Sequence, residues 1–143
     1  MLSALLVDTD TLEEEKKRGL TINLGYAYSQ FSSQAISCTL GFVDVPGHID
    51  FINNMLAGFG AVNYALLVIA ADDGVMPQTV EAIEHAQAAG CPIVVAVNKM
   101  DLTEADPEKV KQRLSEHGLV AEDFGGDVIC CNVSAKTGDG IDH

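Results

Sequence analysis

The sequence predicts an α/β fold built on a mostly parallel sheet with one antiparallel edge strand. Three observations predict it. After an opening hairpin, short apolar runs alternate with helical stretches, the signature of a parallel sheet. The helical stretches are opened by proline and closed by glycine. Polar loops follow three of the apolar runs in succession, where parallel sheets present their strand tips to ligands. The chain has 143 residues, enough for a single domain over 1–143 and too few for two. Hydrophobic residues make up 48%, which supports a packed core, and charged residues make up 20%, which argues against a disordered tail.

Residues Ile22 to Phe31 read as a strand, rich in β-branched and aromatic side chains. Ser32-Ser33-Gln34 is a turn, and Ile36 to Asp44 forms a second strand, antiparallel to the first by hairpin logic. Pro46-Gly47 ends it. Ile49 to Leu56 has helical spacing and stops near Gly58 and Gly60. Tyr64 to Ala71 is a continuous apolar run, expected to be a strand buried on both faces. A helix follows over Gln78 to Ala89, after Pro77 and before Gly90. Ile93 to Val97 is the next strand, Pro107 to His117 the next helix, closed by Gly118, and Val128 to Val133 the last strand.

No apolar run reaches the roughly 18 residues a membrane span needs. Met1 to Val7 is apolar but has no basic flank and meets Asp8 and Asp10, so it reads as a helix remnant rather than a signal peptide. Cys38, Cys91, Cys130 and Cys131 show neither CxxC nor zinc-ligand spacing and are expected to be small reduced core residues of a cytoplasmic protein. The formal net charge of -13 repels phosphate backbones, so this segment is not expected to bind nucleic acid directly. The one basic cluster is Lys16-Lys17-Arg18.

Three motifs lie at strand tips. Asp44-Val45-Pro46-Gly47-His48 places a carboxylate suited to a metal-bound water, a glycine amide that can approach a phosphate oxygen, and a histidine beside them. Read alone, it is equally a strand-ending Asp before a Pro-Gly turn. Asn98-Lys99-Met100-Asp101 offers a carboxylate that can accept from two adjacent donors, as guanine presents at N1 and N2 and adenine does not. Read alone, it is a polar loop with an Asp turn. Ser134-Ala135-Lys136 offers a backbone amide for a carbonyl such as guanine O6 and a lysine stem for a base face, and carries little information by itself. The order of all three at successive strand tips is what gives them weight.

Together these residues resemble the pattern of P-loop GTPases, and the DVPGH form resembles translation GTPases. The resemblance implies a Rossmann-like three-layer architecture, GTP or GDP with Mg2+ as ligands, and ribosome and aminoacyl-tRNA as partners of the parent protein. It implies that Asp44 positions Mg2+ through water, that Gly47 contacts the γ-phosphate, and that His48 orients the attacking water. Asn98 and Asp101 would read the base, Lys99 would pack on the nucleotide, and Ser134, Ala135 and Lys136 would complete the base pocket. Arg18-Gly19-Leu20-Thr21-Ile22 resembles the first switch loop, in which Thr21 would coordinate Mg2+ and sense the γ-phosphate; by itself Thr21 is a β-former before a strand.

Two relatives are visible. Glu14 to Tyr28 and the run GFVDVPGHIDFINNMLAG resemble the selenocysteine-specific elongation factor. The stretch from Gln78 to Asp127, followed by VSAKTGDGID, resembles the bacterial initiation factor that handles initiator tRNA. A natural intermediate, a chimera and an assembled environmental sequence all fit, and a composite joined near Ala65 to Thr79 is the expectation. The family opens with a strand and GxxxxGK[ST], and this sequence contains no such motif. Loss of about four charge-assisted bonds of roughly 1.5–3 kcal/mol each removes roughly four to nine decades of affinity, so the isolated chain is expected to be inactive and to bind almost no nucleotide. With the first strand and last helix also missing, an apolar sheet face is left bare. Either the DVPGH strand pairs directly with the Tyr64 to Ala71 strand or a partner chain fills the gap; direct pairing, with the bare face driving homo-oligomerisation, is the expectation.

Overall fold

The computed structural model describes residues 24–32, 37–45 and 62–141. The chain forms two compact units, Met1–Val62 and Asn63–His143.

In the first unit, β1 (Gly25–Ser32) and β2 (Ser37–Asp44) form an antiparallel ladder from Gly25↔Asp44 to Ser32↔Ser37. Alternation along β1 leaves Tyr26 and Tyr28 exposed. The Tyr28 ring lies over its cross-strand partner Gly41, 3.3 Å from where a Cβ would stand. A side chain there would displace the ring, so glycine permits this pairing. The expected hairpin is therefore present. The expected helix over Ile49 to Leu56, Thr21, Gly47 and His48 lie outside the described residues.

In the second unit, β3 (Ala65–Ala70), β4 (Ile93–Asn98) and β5 (Cys130–Asn132) form a parallel sheet in that order. The register runs Ala65↔Ile93 to Ala70↔Asn98 and Val95↔Cys130 to Val97↔Asn132. Helices α1 (Pro77–Ala88) and α2 (Pro107–Glu116) make the crossovers that parallel strands require. Both begin at proline, which lacks only a donor that a first turn leaves unpaired anyway. Asp106 caps α2 by accepting from the Lys109 amide at 3.0 Å. Gly90 and Gly118, at φ 66 and 80, close the two helices in the left-handed conformation that Cβ disfavours. No helix among the described residues is long and apolar enough to cross a membrane.

The core lies between the sheet and these helices. Ile69, Val95 and Val97 pack against Ile83 of α1 and Val110 and Leu114 of α2. Both helices thus cover one face. The opposite face shows Leu66 at 57% and Val68 at 58% exposure, with Tyr64 and Ile129 also exposed. This corrects the expectation that the 64–71 strand is buried on both faces. That expectation rested on an uninterrupted apolar run, but the strand is an edge of its sheet and only its Leu67 and Ile69 side joins the core. The expected pairing of the DVPGH strand with this strand is corrected too. β2 is hydrogen-bonded to β1, and β3 to β4, in separate sheets.

Cysteine placement also departs from expectation. Cys38 is exposed, because β2 is exposed from Ser37 through Gly41, while Cys91, Cys130 and Cys131 are half-buried. A side chain the sequence left unremarked is central to the packing instead. Lys111 is buried in α2 and extends its ammonium to Asp123 at 2.6 Å. Its stem joins the interior while its charge reaches the rim.

Candidate functional site

The tips of β3, β4 and β5 converge on one loop cluster. Parallel register does this: the Asn98 carbonyl accepts from the Ala71 amide at 2.8 Å, and the Val133 carbonyl accepts from the Met100 amide at 3.2 Å. The strand ends are therefore stitched at the level where the chain turns.

Asp101 is the centre of the cluster. Ser134, 1% exposed, donates its hydroxyl hydrogen to Asp101 Oδ1 at 2.7 Å, and the same Oγ accepts from the Thr137 amide at 3.2 Å. Lys136 places its ammonium 3.6 Å from Asp101 Oδ2. The Ser134 hydrogen bond, helped by the Lys136 charge, holds the Asp101 carboxyl below the usual carboxylate range. It is a standing anion with lone pairs to spare, since each carboxylate oxygen can accept twice.

Asn98 Oδ1 accepts from the Ala135 amide at 2.9 Å. Because the partner is an N–H, the amide orientation is settled, and its NH2 end is the one left to donate. Of the backbone amides in Ser134-Ala135-Lys136, that of Ala135 is thus occupied by Asn98. The next amide, of Lys136, makes no hydrogen bond among the described residues. The loop carrying Ser134 is closed by Gly140, at φ 74. A Cβ there would stand 2.1 Å from the Asn132 carbonyl oxygen.

Lys99 has φ 65, the one non-glycine residue with positive φ among the described residues. Its ammonium lies 3.0 Å from Asp72 and 3.2 Å from Asp73, in the loop after β3. These contacts lower the Asp72 carboxyl and raise the Lys99 ammonium relative to their ordinary values. Neither Asp was marked by sequence reasoning. The signal that would have found them is an acidic pair at the tip of the strand adjoining the Asn98 strand.

Asn98, Lys99, Asp101, Leu102, Ala135 and Lys136 line a cavity of about 260 Å³. Of the predicted residues, Asn98, Lys99, Asp101, Ala135 and Lys136 converge on one pocket, Leu102 joins them, and Ser134 is buried against Asp101 without lining it. A planar ring with two adjacent N–H donors fits its chemistry. The anion accepts from both donors, and amide and lysine stems flank the ring. Asp44 belongs to the other unit, exposed at the end of β2. No group of three or more acidic, His or Cys side chains able to hold a metal occurs among the described residues. One carboxylate suits Mg2+ only when the ion arrives with phosphate oxygens.

Known proteins resemble this chain over most of its length. The chain is 61% identical over 104 residues to translation initiation factor IF-2 of Desulforapulum autotrophicum, covering 73% of this chain and 10% of that protein. It is 49% identical over 130 residues to IF-2 of Geobacillus thermodenitrificans, covering 91% and 17%. The chain thus spans under a fifth of these curated relatives. Among solved structures it is similar to bacterial selenocysteine-specific elongation factor EF-Sec, at TM-score 0.75 and 38% identity over 95% of this chain and 23% of that one. It is also similar to elongation factor SelB of Methanococcus maripaludis, solved with the GTP analogue GppNHp, at TM-score 0.69 and 27% identity over 85% and 26%. The family described as elongation factor Tu GTP binding domain matches residues 3–143. With residues 3–143, nearly its whole length, matched, this chain belongs to the elongation factor Tu GTP-binding domain family of translation GTPases.

Proposed function

We propose that residues 1–143 are part of one G domain of a cytoplasmic translation factor, and that the pocket at the strand tips receives a guanine base. One observation carries this reading: the Asp101 carboxylate, held in place by the Ser134 hydroxyl, lines the pocket formed with Asn98, Lys99, Leu102, Ala135 and Lys136. Guanine N1–H and N2–H would donate to Asp101. Its O6 would accept from the Lys136 amide or take the Ala135 amide from Asn98. Adenine presents no matching donor pair, so the contact discriminates as well as binds.

GTP and Mg2+ are the ligands this family relation supports. By the same relation, Thr21 and Asp44 would hold the ion, and Gly47 and His48 would meet the γ-phosphate and orient water. The parent's work would be delivery of aminoacyl-tRNA to the ribosome, as in a selenocysteine-specific factor. Assignment to an initiation factor is the alternative, favoured by the curated relatives' identity. The 143 residues contain no GxxxxGK[ST], so the chain alone would bind phosphates weakly and hydrolyse little GTP.

The test is NMR titration of the chain with guanosine and adenosine, neither of which needs a phosphate loop. The expected result is guanosine-selective shifts of the Ala135 and Lys136 amides. Equal response to both nucleosides overturns the reading. A second function, self-association as a non-catalytic module, is favoured by the exposed Leu66 and Val68 face. Sedimentation over a wide concentration range tests it, and a strictly monomeric chain rejects it.

A further inference from the structure

We infer that Asp72 and Asp73 are positioning residues for the pocket, holding Lys99 in its left-handed conformation with its stem as one wall. The inference rests on the guanine-pocket reading for its purpose, but not for its geometry.

Lys99 faces two demands. Its backbone sits at φ 65, which costs a side chain with a Cβ about 1 kcal/mol and persists only when the surroundings over-determine it. Its side chain lines the pocket, where a free ammonium would bring a strongly hydrated charge against the ring. The loop after β3 answers both. Both Asp72 carboxylate oxygens lie 3.0 Å from Lys99 Nζ, and Asp73 Oδ2 lies at 3.2 Å. Two carboxylates from one loop take the ammonium, and the hydrocarbon stem remains along the cavity.

The pair is also well anchored. Ala71, immediately before Asp72, donates its amide to the Asn98 carbonyl at 2.8 Å and accepts from the Asp106 amide at 3.1 Å. The carboxylates therefore stand at a fixed distance from the Asn98–Lys99 turn. Lys99 remains 43% exposed and Asp73 61%, so the ion pairs are solvent-screened. Their role is placement, and little of the fold's stability is expected to rest on them.

The experiment uses the whole chain and its variants Asp72→Asn/Asp73→Asn and Asp72→Glu/Asp73→Glu, with Glu84→Gln/Glu116→Gln, at exposed positions of α1 and α2, as a charge control. Amide spectra establish that each is folded. The first readout is Lys99 itself, through its Cα and Cβ shifts, which report the sign of φ, and the titration of its ε-methylene. The native chain is expected to show left-handed shifts and a raised ammonium pKa. The double Asn variant should lose both, the double Glu variant should restore part of the pKa rise, and the control should change neither. Lys99 shifts unaltered in the double Asn variant, or an ordinary Lys99 titration in the native chain, overturn the inference.

The second readout is nucleoside affinity. The double Asn variant should bind guanosine roughly threefold to tenfold more weakly, the share a partly covered hydrocarbon wall supplies. It should retain its preference over adenosine, because Asp101 is untouched. Unchanged guanosine affinity together with altered Lys99 shifts overturns the wall. Failure of the native chain to distinguish the nucleosides strikes the guanine reading, and the Lys99 signals still decide the positioning.

Discussion

Ser134 donates its hydroxyl hydrogen to Asp101 at 2.7 Å, across 33 positions of sequence. A residue buried beneath the last strand tip thereby orients a carboxylate on the neighbouring one and lowers its pKa further below the ordinary value. The bond fixes the orientation of the carboxylate and leaves its remaining lone pairs to accept from the two donors of a guanine edge.

Asp101→Asn keeps the shape and replaces one acceptor by an NH2. Guanosine affinity should fall by roughly ten- to a hundredfold, from a lost charge-assisted bond and a donor facing a donor. Inosine, which lacks the N2 amine, should bind the native chain several-fold more weakly than guanosine and should suffer less from the substitution. NMR titration of both nucleosides measures it. An undiminished guanosine affinity contradicts the assignment of Asp101.

Stability should depend on acid through Asp72 and Asp101, whose carboxyls are lowered chiefly by the Lys99 and Ser134 hydrogen bonds respectively. A lowered folded-state pKa means the unfolded chain binds protons more readily. The contribution is complete above the ordinary carboxylate value of about 4 and is lost as pH falls from there through the lowered folded values. Urea midpoints measured between neutral and strongly acidic pH should drop in that window. Asp101→Asn should flatten part of the slope, and an identical slope in the variant rejects this origin.

Gly140→Ala should damage the pocket from outside it. Its Cβ would meet the Asn132 carbonyl oxygen, and its φ of 74 disfavours any side chain. A loss of about 2 kcal/mol or more is expected, from strain plus a shifted backbone. Chemical denaturation gives the cost, and amide shifts of Ser134 to Thr137 should move with it. A variant of native stability shows that the approach is looser.

Core and bare face should respond differently. Leu114 is fully buried between α2 and the sheet, so Leu114→Ala should cost about 2–5 kcal/mol. Leu66, at 57% exposure, should cost less than about 1 kcal/mol as Leu66→Ala. If the bare face associates, Leu66→Glu should shift sedimentation toward monomer without loss of fold. Equal destabilisation by the two alanine changes contradicts the placement of the core.

Much of this architecture was legible in local patterns. Proline at the start and glycine after the end placed α1 and α2 within a residue at each end, because these residues act on backbone geometry alone. The alternation of strand and helix implied the parallel sheet. The apolar run over Tyr64 to Ala71 misled, since an uninterrupted run does not say whether a second layer covers it.

The chain's composition and order determined that Asn98, Asp101 and Ser134 sit at successive strand tips, because periodicity and turn chemistry are properties of neighbours in sequence. Only the tertiary structure decided that Ser134 grips Asp101, that Asn98 takes the Ala135 amide, and that Asp72 and Asp73 hold Lys99. Those contacts join residues 26 to 37 positions apart, and strand register, which no single segment encodes, brings them within hydrogen-bonding reach.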